Sequence, residues 1–590
     1  MIRISIKILN TVRRKDKLRL LLLLLLISIT SILEILGISS IAPLVAVIID
    51  EKIIYESIYL SYLFNYLNFS EAKYFIYFVF ILFVSFIFLS NLFIALTFTY
   101  LSYIAHKLER DMAVKLYTVY IKSSYLDIIS RNSSEMIKNI STETNRVSHS
   151  VIIPILEFIA KLPIAILLLV LISLLVPLEM FVAIIIIISI YLLIYYLIKN
   201  ILKKSDDEIS RSLGLEIKLL NESIDSLREI KLINNYPLFN NKFNIIASMK
   251  SNARSLALIL SRIPRHLVET IFFFTGALFL FFLYSNNIDI LIIIPQLSII
   301  LLASLRLMPT SNTLYQMYSI FQYNKESFLK IEKDLIKYNE LPEDKDETLN
   351  NIFDTDNGKI KFENVSFAYN QSINILNNLN VDLPLGKSIC LYGKSGSGKS
   401  TFLDLLAGFI NPHDGNILVN NHNINQSLRS WQTEISYVPQ NSILINDTIL
   451  KNIVFSQKNQ KDDYDVKRIN EIISMVELKD FIEGLPKGLE TVIGERGKSI
   501  SGGQKQRINL ARSLYRNPKI LILDEATNAL DEMTELKVYD NLLNSNTKRT
   551  IIISSHSAKI AKKTDVLLFF YNQKALLYKS WDEFRKSISN

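Results

Sequence analysis

The chain has 590 residues, of which half are hydrophobic, with a formal net charge of +9 and a mean hydropathy of +0.26. This length allows more than one folded unit, and the hydropathy is too high for an ordinary soluble protein. The single cysteine, Cys390, lies in an apolar strand-like run and is expected in the core, and it excludes a disulfide within the chain.

Apolar residues are concentrated before about residue 325, where they form six runs. A bilayer core of ~30 Å is crossed by roughly 20 helical residues. Several runs reach that length by themselves, and the shorter ones reach it with their flanks, so the sequence predicts six membrane-spanning helices. The runs are 20–33, which continues through Pro43 to residue 49, and then 75–100, 164–176, 181–198, 271–284 and 288–305.

The basic start of the chain, followed by its first apolar run, has the general form of a secretory signal peptide. The apolar stretch nevertheless continues to residue 49, and no small-x-small cleavage pattern follows at a suitable distance. We therefore expect this stretch to remain in the protein as its first membrane span.

Lysine and arginine cluster at 13–19, 107–138 and 199–211, whereas the short loops near Pro177 and Asn286 contain neither. Cytoplasmic loops of membrane proteins carry an excess of these two residues. We therefore expect a multi-pass protein of the cytoplasmic (inner) membrane, with its amino terminus and its C-terminal half in the cytoplasm. A nucleic-acid-binding protein would carry a basic patch on a soluble domain, so no nucleic-acid partner is expected.

Segments 105–122 and 201–236 continue at helical spacing beyond the second and fourth spans. We expect these helices to extend into the cytoplasm as stalks whose turns, near 126–135 and 227–235, contact the C-terminal domain. Solvated connectors are the alternative. The tyrosine-rich segment 53–69 is either a short helix at the outer interface or an ordinary apolar loop.

Three ionisable residues stand out within the predicted spans: Glu34, Arg265 and Arg306. Charges inside a membrane are costly, and they frequently mark functional positions. Facing inward, the two arginines would line a cavity that binds a phosphate or pyrophosphate group. Alternatively, Glu34 or Glu269 pairs with an arginine and the charges only stabilise the helical bundle.

The second half of the chain differs in composition, and we divide the sequence accordingly. A membrane domain is expected at 1–335, a polar linker containing Pro342 at 336–357, and a further domain at 358–590. In that last domain, apolar strand-like runs alternate with helical ones, which is typical of an α/β fold. The predicted fold class is thus a helical membrane bundle fused to a cytoplasmic α/β domain.

A phosphate-binding loop is the clearest motif in the C-terminal domain. Residues 388–392 before it read as a strand and 401–408 after it as a helix, which is the required context. Glycines let backbone N–H groups point at a phosphate, and the helix amino terminus adds positive charge. Lys399 is expected to bind the β- and γ-phosphates of ATP, and Ser400 to bind Mg²⁺. The loop consists of Gly393, Lys394, Ser395, Gly396, Ser397, Gly398, Lys399 and Ser400, followed by Thr401.

A second motif is the apolar run 520–523, which ends in the two carboxylates Asp524 and Glu525. Phosphoryl transfer needs a carboxylate that holds Mg²⁺ and a group that orients the attacking water. We assign the first role to Asp524 and the second to Glu525. The alternative is a strand that simply ends in solvent.

With these motifs, the sequence resembles the ATP-binding-cassette exporters over almost its whole length. Ser501, Gly502, Gly503 and Gln504 are similar to the family signature, which implies that this segment contacts the γ-phosphate bound by the other subunit. Gly494 with residues 495–497 is similar to a segment that precedes the signature in exporters, which argues against an importer.

The same resemblance implies roles for further residues. Tyr369 would stack on adenine, and Gln440 would contact both Mg²⁺ and the attacking water. Asp531 lies in the segment that crosses the dimer interface, and His556 would contact the γ-phosphate. The sequence departs from the usual pattern at three positions, which are Ile500, Asn528 and Ser557.

The chain holds one phosphate loop and one signature segment. Because the resemblance implies that each nucleotide is bound between two such domains, we expect a homodimer with two ATP sites. ATP and Mg²⁺ are the expected ligands. ATP binding would close the domains and switch the membrane cavity outward, and hydrolysis at Glu525 would reopen them.

Residues Glu34, Arg265 and Arg306 resemble, with their neighbours, the membrane spans of bacterial lipid-linked oligosaccharide flippases. This resemblance implies a polyprenyl-pyrophosphate glycan or a similar amphipathic lipid as the substrate. Two other functions remain open, which are export of a peptide or hydrophobic drug and a cassette-gated channel or sensor. The six spans exclude a third alternative, a soluble DNA-acting ATPase.

Overall fold

Long helices make up the first unit of the chain, which comprises Met1–Ser123 and Asp127–Glu343 in this computed structural model. The structure describes residues 1–11, 14–175, 178–285, 290–341, 353, 355, 358–369, 374–455, 464–494, 500–545 and 548–589. Some side chains within the helices, chiefly between 175 and 206 and between 261 and 297, lie outside this description.

The helices of residues 1–343 are numbered in chain order. They are α1 (Ile2–Thr11), α2 (Arg14–Ser39), α3 (Ile41–Ile49), α4 (Ile53–Glu56), α5 (Ile58–Tyr66), α6 (Ala72–Lys122), α7 (Tyr125–Ser130), α8 (Ser133–Lys138), α9 (Thr144–Val147), α10 (Ile153–Leu175), α11 (Leu178–Asp225), α12 (Leu227–Leu232), α13 (Tyr236–Ser285) and α14 (Ile290–Glu340). Two π-helical turns, Asn139–Glu143 and Ser148–Ile152, flank α9.

The length of α6 is consistent with a membrane-spanning helix that continues beyond the bilayer. Helix α6 has 51 residues, which at 1.5 Å per residue gives about 75 Å, more than twice a ~30 Å hydrocarbon core. Among the described residues, three segments are long and apolar enough to cross a membrane: Lys15–Ile49, Ala72–Lys122 and Ser133–Leu174. The spans predicted at 181–198, 271–284 and 288–305 fall on α11, α13 and α14, whose side chains are described only in part.

The core of the first unit forms where α2 packs on α6 and where α10 packs on α14. Apolar side chains such as Leu23, Leu101 and Phe328 are buried there. Asp334 of α14 accepts a hydrogen bond from the Tyr120 hydroxyl at 2.9 Å and pairs with Arg131 at 3.0 Å. Charge pairing therefore joins the polar ends of these helices, while apolar packing joins the rest.

The tyrosine-rich segment between the first two spans is helical. Helix α5 buries Phe64 against Phe75, with ring centroids 5.4 Å apart, and leaves Tyr59, Tyr62 and Tyr66 exposed. Of the two alternatives drawn from the sequence, the structure therefore contains the short helix, with an apolar inner face and a tyrosine outer face.

The second unit comprises Ser124–Leu126 and Asp344–Asn590 and contains both sheets. Its strands are β1 (Lys359–Phe367), β2 (Leu376–Pro384), β3 (Ser388–Gly393), β4 (Asp414–Val419), β5 (His422–Asn423), β6 (Ile435–Val438), β7 (Ile520–Asp524), β8 (Thr550–Ser554), β9 (Val566–Tyr571) and β10 (Lys574–Tyr578). Its helices are α15 (Lys399–Leu406), α16 (Leu428–Glu434), α17 (Ile449–Val454), α18 (Val466–Met475), α19 (Lys479–Glu483), α20 (Gly502–Tyr515), α21 (Glu532–Leu543), α22 (Ala558–Ala561) and α23 (Trp581–Ser589).

The larger sheet has the strand order β10-β9-β3-β8-β7-β6, in which β9, β3, β8, β7 and β6 pair in parallel. The smaller sheet, β2-β1-β4-β5, is antiparallel. Parallel strands end at one edge of their sheet, and open α/β sheets bind ligands at that edge. The loops after β3, β6, β7 and β8 therefore meet at one place.

Strands β7 and β8 are buried along their whole length, which explains their almost unbroken apolar sequences. Trp431 is fully buried beneath the sheet and donates a hydrogen bond from its indole nitrogen to the Leu406 carbonyl at 2.7 Å. Burial also raises the pKa of the Cys390 thiol to about 12. Cys390 is thus a core residue with an inert thiol, as the sequence predicts.

Helix α20 begins with two glycines that differ in the space around them. A methyl group on Gly503 would lie 2.9 Å from Leu530 Cδ2 and 3.0 Å from the Ala529 carbonyl oxygen. A methyl group on Gly502 would lie 3.4 Å from Ala529 Cβ, which is an ordinary contact.

We expect Gly503→Ala to be less stable than Gly502→Ala by about 1–3 kcal/mol, the usual cost of overpacking. Both variants gain the same helix propensity, so their difference isolates the packing cost. The measurement is the thermal unfolding midpoint of each full-length variant without nucleotide. Equal midpoints would contradict the close approach of α20 to Ala529.

Candidate functional site

The phosphate-binding loop joins β3 to α15 in a conformation that depends on glycine. Gly396 and Gly398 have φ values of +76° and +99°, in the left-handed region that favours glycine. A methyl group on Gly393 would lie 2.8 Å from the Phe570 carbonyl oxygen. The loop can therefore curl tightly at the amino end of α15, where backbone N–H groups point outward.

Lys399 lies folded into this loop. Its ammonium donates to the carbonyl oxygens of Gly393 and Lys394 at 2.9 and 3.0 Å. Burial lowers the pKa of Lys399, while the nearby carboxylates Glu525 and Asp524 act in the opposite direction. The charge thus lies inside the cradle that a phosphate group would occupy.

One buried polar atom indicates that this cradle fits a phosphate. Ser397 Oγ is buried and, among the described residues, has no hydrogen-bond partner. Buried hydroxyls are normally satisfied, and phosphate oxygens would satisfy this one. Together with the glycine conformations and Lys399, the atom shows that the loop fits a nucleotide phosphate chain.

Two carboxylates follow each other at the end of β7. Asp524 is 5% exposed and accepts a hydrogen bond from the Tyr437 hydroxyl at 3.1 Å. Burial, reinforced by the charge of Asp524, raises the pKa of Asp404 to about 6. Negative charge is therefore concentrated beside the loop, in a place where a cation would be stabilised.

Glu525 adopts an unusual backbone conformation, with φ at +49°. This region is costly for a residue with a side chain, and such strain is concentrated at functional sites. Its amide donates to the Ser554 carbonyl at 3.2 Å, which holds the strained peptide against β8. The turn directs the Glu525 side chain away from the strand axis and toward the neighbouring loops.

Three side chains from three different loops hold the Glu525 carboxylate. Oε2 accepts from Gln440 Nε2 at 2.7 Å and from Asn528 Nδ2 at 2.8 Å, and Oε1 lies 2.9 Å from His556 Nε2. Gln440 follows β6, Asn528 follows β7 and His556 follows β8. The parallel order of the sheet explains why these residues converge.

Asn528 is the residue whose contribution the sequence does not reveal. It appears there only as a departure from the usual serine, and the signal that would have identified it is its position three residues after Glu525. In the structure it donates directly to the carboxylate, in the same way as Gln440. Asn528 is thus a positioning residue for Glu525.

The signature segment begins α20 with a reciprocal cap. Ser501 Oγ accepts from the Gln504 amide at 3.2 Å, and Gln504 Oε1 accepts from the Ser501 amide at 2.8 Å. This capping box fixes the first helical turn. Neither of these two hydrogen bonds uses the hydroxyl hydrogen of Ser501, so the hydroxyl can still donate to a ligand at the helix amino terminus.

Two further predicted residues have local partners. Asp531 caps α21 by accepting from the Thr534 amide at 3.0 Å, and this N–H lowers the pKa of Asp531. Tyr369 is partly exposed and contacts Phe367 edge-on, with centroids 5.1 Å apart. Of the predicted segment 494–497, only Gly494 is described, and residues 495–497 lie outside the described part of the chain.

Two of the ionisable residues predicted within the membrane spans, Glu34 and Arg306, lie close together in the first unit. Arg306 of α14 lies 3.9 Å from Glu34 Oε1 of α2 and donates to Asn91 Oδ1 of α6 at 3.2 Å. The Glu34 side chain is 4% exposed and that of Arg306 is 42% exposed. The side chain of Arg265 lies outside the described residues. Glu34 and Arg306 therefore form an ion pair, which is the alternative to ligand binding that the sequence left open.

Comparison with known proteins agrees with this geometry. Residues 376–528 match the family model for the ABC transporter domain. The lipid A-core flippases of Escherichia coli K12 and Shigella flexneri, described as ATP-dependent, are 39% identical to the chain over 213 residues. That alignment covers 36% of this chain and 36% of each relative, so the chain matches about a third of their length.

A solved structure, described as a bacterial Atm1-family ABC exporter with ATP bound, has a similar fold over nearly the whole chain. The TM-score is 0.76 at 21% identity, with 98% of this chain and 97% of the other covered. The predicted fold class is confirmed: a helical membrane region of the exporter type is followed by an α/β nucleotide-binding domain. The resemblance to ABC transporters drawn from the sequence is confirmed for residues 376–528.

Proposed function

We propose that two copies of this chain form an ATP-driven exporter that moves an amphipathic lipid across the cytoplasmic membrane. The substrate class we propose is a polyprenyl-pyrophosphate oligosaccharide or a similar lipid. The single observation that carries the ATP-dependent part is the Glu525 carboxylate, which three donors hold beside a phosphate-binding loop. The exporter fold and the flippase function of the similar proteins support the rest.

The nucleotide site, as proposed, is assembled from both copies. The loop at 393–401 with Tyr369 binds ATP on one copy, and the segment 501–504 with Asp531 completes the site from the other. Each chain has one copy of each segment, which supports two such sites in a homodimer. We expect the amino terminus and the nucleotide-binding domain on the cytoplasmic side, where the ATP is.

Mg²⁺ fits the residues next to the loop. Ser400 is exposed at the start of α15, and Asp524 and Gln440 end neighbouring strands. Carboxylate and hydroxyl oxygens suit this cation. When bound, the ion would neutralise part of the negative charge on the phosphate oxygens.

Glu525 acts on water in this proposal. Its two oxygens are oriented by Gln440, Asn528 and His556, so the remaining lone pairs of the carboxylate face a fixed direction. A carboxylate held in this way can accept a proton from the attacking water. In the proposal, the His556 ring, which contacts the other oxygen of Glu525, donates toward the transferred phosphate.

Replacing Glu525 by glutamine tests the catalytic assignment. We expect ATP binding to persist and turnover to fall by about 10²–10⁴-fold, the usual contribution of a general base. The measurements are nucleotide affinity and steady-state phosphate release. Glu532→Gln, which alters an exposed carboxylate in the same domain, is the control and should retain turnover. Unchanged turnover in Glu525→Gln would refute the assignment.

Replacing Asn528 tests the orientation of Glu525. Asn528→Ala removes one of three donors, and a misdirected carboxylate costs about ten- to a hundredfold in kcat because catalysis depends on orientation. The Michaelis constant for ATP should change little, since Asn528 contacts the carboxylate. Asn528→Ser, which keeps a shorter donor, should recover part of the rate. If kcat stays constant while the Michaelis constant rises, Asn528 has a different role.

The proposed lipid site rests on positive charge within the membrane unit. Arg306 is partly exposed beside the buried Glu34, and Lys161 of α10 also acts electrostatically on that carboxylate. In the proposal, the exposed part of the Arg306 guanidinium binds the pyrophosphate group. Arg265 remains a proposed ligand from the sequence.

A pair of variants separates ligand binding from bundle stability. Removing only Arg306 would leave Glu34 as a buried charge without this partner. Arg306→Gln is therefore made only together with Glu34→Gln. The Glu34→Gln variant by itself also breaks the ion pair but keeps the arginine. We expect undecaprenyl pyrophosphate to stimulate ATP turnover above the basal rate of Glu34→Gln but not of the double variant.

Undecaprenol, which lacks the pyrophosphate, is the lipid control and should stimulate neither variant. The measured quantity is the ratio of stimulated to basal turnover within each variant, so that differences in basal rate cancel. An equal response of both variants to the pyrophosphate would overturn the role of Arg306. Stimulation of the wild-type chain by peptides or apolar drugs alone would favour the other exporter classes.

A further inference from the structure

A cluster of metal-ligand side chains lies in the first unit, away from the nucleotide-binding loop. His106 and Glu109 lie on α6, and His149 lies in the π-helical turn Ser148–Ile152. One ligand atom from each residue lies within 4.8 Å of the other two. The three residues are brought together by folding, since 40 positions separate Glu109 from His149.

The distances within the cluster are close to those of a coordination shell. His106 Nδ1 lies 3.2 Å from Glu109 Oε2, and the two imidazole centroids are 5.0 Å apart. Ligand atoms about 2.1 Å from a tetrahedral zinc ion are about 3.4 Å from one another. Small rotations of exposed side chains would therefore bring all three atoms to bonding distance.

The backbone around the cluster is already held in place. The buried Ser148 hydroxyl donates to the Ala105 carbonyl at 3.3 Å, so the residues preceding His149 and His106 are joined. Asn145 donates to Glu109 Oε1 at 3.0 Å and leaves Oε2 directed at His106. Such outer-shell bonds orient metal ligands in proteins.

The π-helical turn is a second, independent indication. A π-helical turn is rare and is frequently found at functional sites. His149 lies within this turn and is exposed, with its ring edge-on to that of His106. The turn thus presents an imidazole to His106.

The two basic residues next to His106 and Glu109 on α6 pair with other carboxylates. Lys107 pairs with Asp16, and Arg110 pairs with Asp111 at 2.7 Å. The Glu109 side chain is 20% exposed and that of His106 is 53% exposed. An ion bound here would have protein ligands on one side and water on the other.

We propose that His106, Glu109 and His149 bind one divalent transition-metal ion of the zinc class between α6 and the turn Ser148–Ile152. Two imidazoles and one carboxylate form a known zinc-ligand set that leaves a coordination position for water. Imidazole nitrogen selects such metals over Mg²⁺ and Ca²⁺, which prefer oxygen. The ion links two segments of the first unit that are distant in sequence.

The test is a calorimetric titration of the full-length chain with Zn²⁺, after removal of its affinity tag and of metals, without nucleotide. We expect the wild-type chain to bind one more ion than His149→Ala. Co²⁺, used as a coloured substitute, should give visible absorption bands of low-coordinate cobalt with imidazole ligands. Glu109→Gln, the second variant, should weaken binding by at least about tenfold, the lower limit for loss of an outer-shell partner.

The chain provides a matched control on α13. His266 and Glu269 form the same pair three residues apart, with Nδ1 and Oε2 3.6 Å apart, but they belong to no three-residue cluster among the described residues. His266→Ala should therefore bind as many ions as the wild type. Folding of each variant is checked by its gel-filtration profile. Equal stoichiometry in wild type and His149→Ala, or an equal loss in His266→Ala, would overturn the proposal.

Discussion

The hydrogen bonds to one carboxylate, that of Glu525, organise the nucleotide-binding domain. Its backbone is strained, with φ at +49°, and its side chain accepts from Gln440 and Asn528 and meets His556. Asn528 lies in the same loop as Glu525, whereas Gln440 and His556 follow other strands, and their contacts depend on the order of the parallel strands. A change in the register of β6, β7 or β8 would separate them, so the buried apolar strands are what keep the site in one geometry.

The phosphate loop supplies the other half of this arrangement. Lys399 is folded against the Gly393 carbonyl, and the glycines permit a curvature that residues with side chains would resist. Negative charge from Asp524 and Glu525 lies beside this positive group. The domain therefore contains opposite charges close together, which a nucleotide with its cation can bridge and balance.

The membrane unit shows how charge is accommodated among apolar helices. Glu34 is almost fully buried and lies close to Arg306, which also contacts Asn91. These contacts join α2, α6 and α14. Beyond the apolar segment, the same α6 continues as a polar helix with its charged residues paired, and there it meets the π-helical turn that carries His149. One helix thus joins the charges around Glu34 to the cluster of His106, Glu109 and His149.

The sequence by itself determined the features whose information is local. The phosphate loop, the strand that ends in Asp524 and Glu525, the long apolar helices and the buried Cys390 all follow from spacing and composition, because glycine conformations and apolar periodicity act over a few residues. Only the tertiary structure decided which distant side chains meet. The contacts of Gln440 and His556 with Glu525, of Arg306 with Glu34 and of His149 with His106 join separate loops or helices. No local pattern encodes such pairs, since packing of whole elements sets their distances.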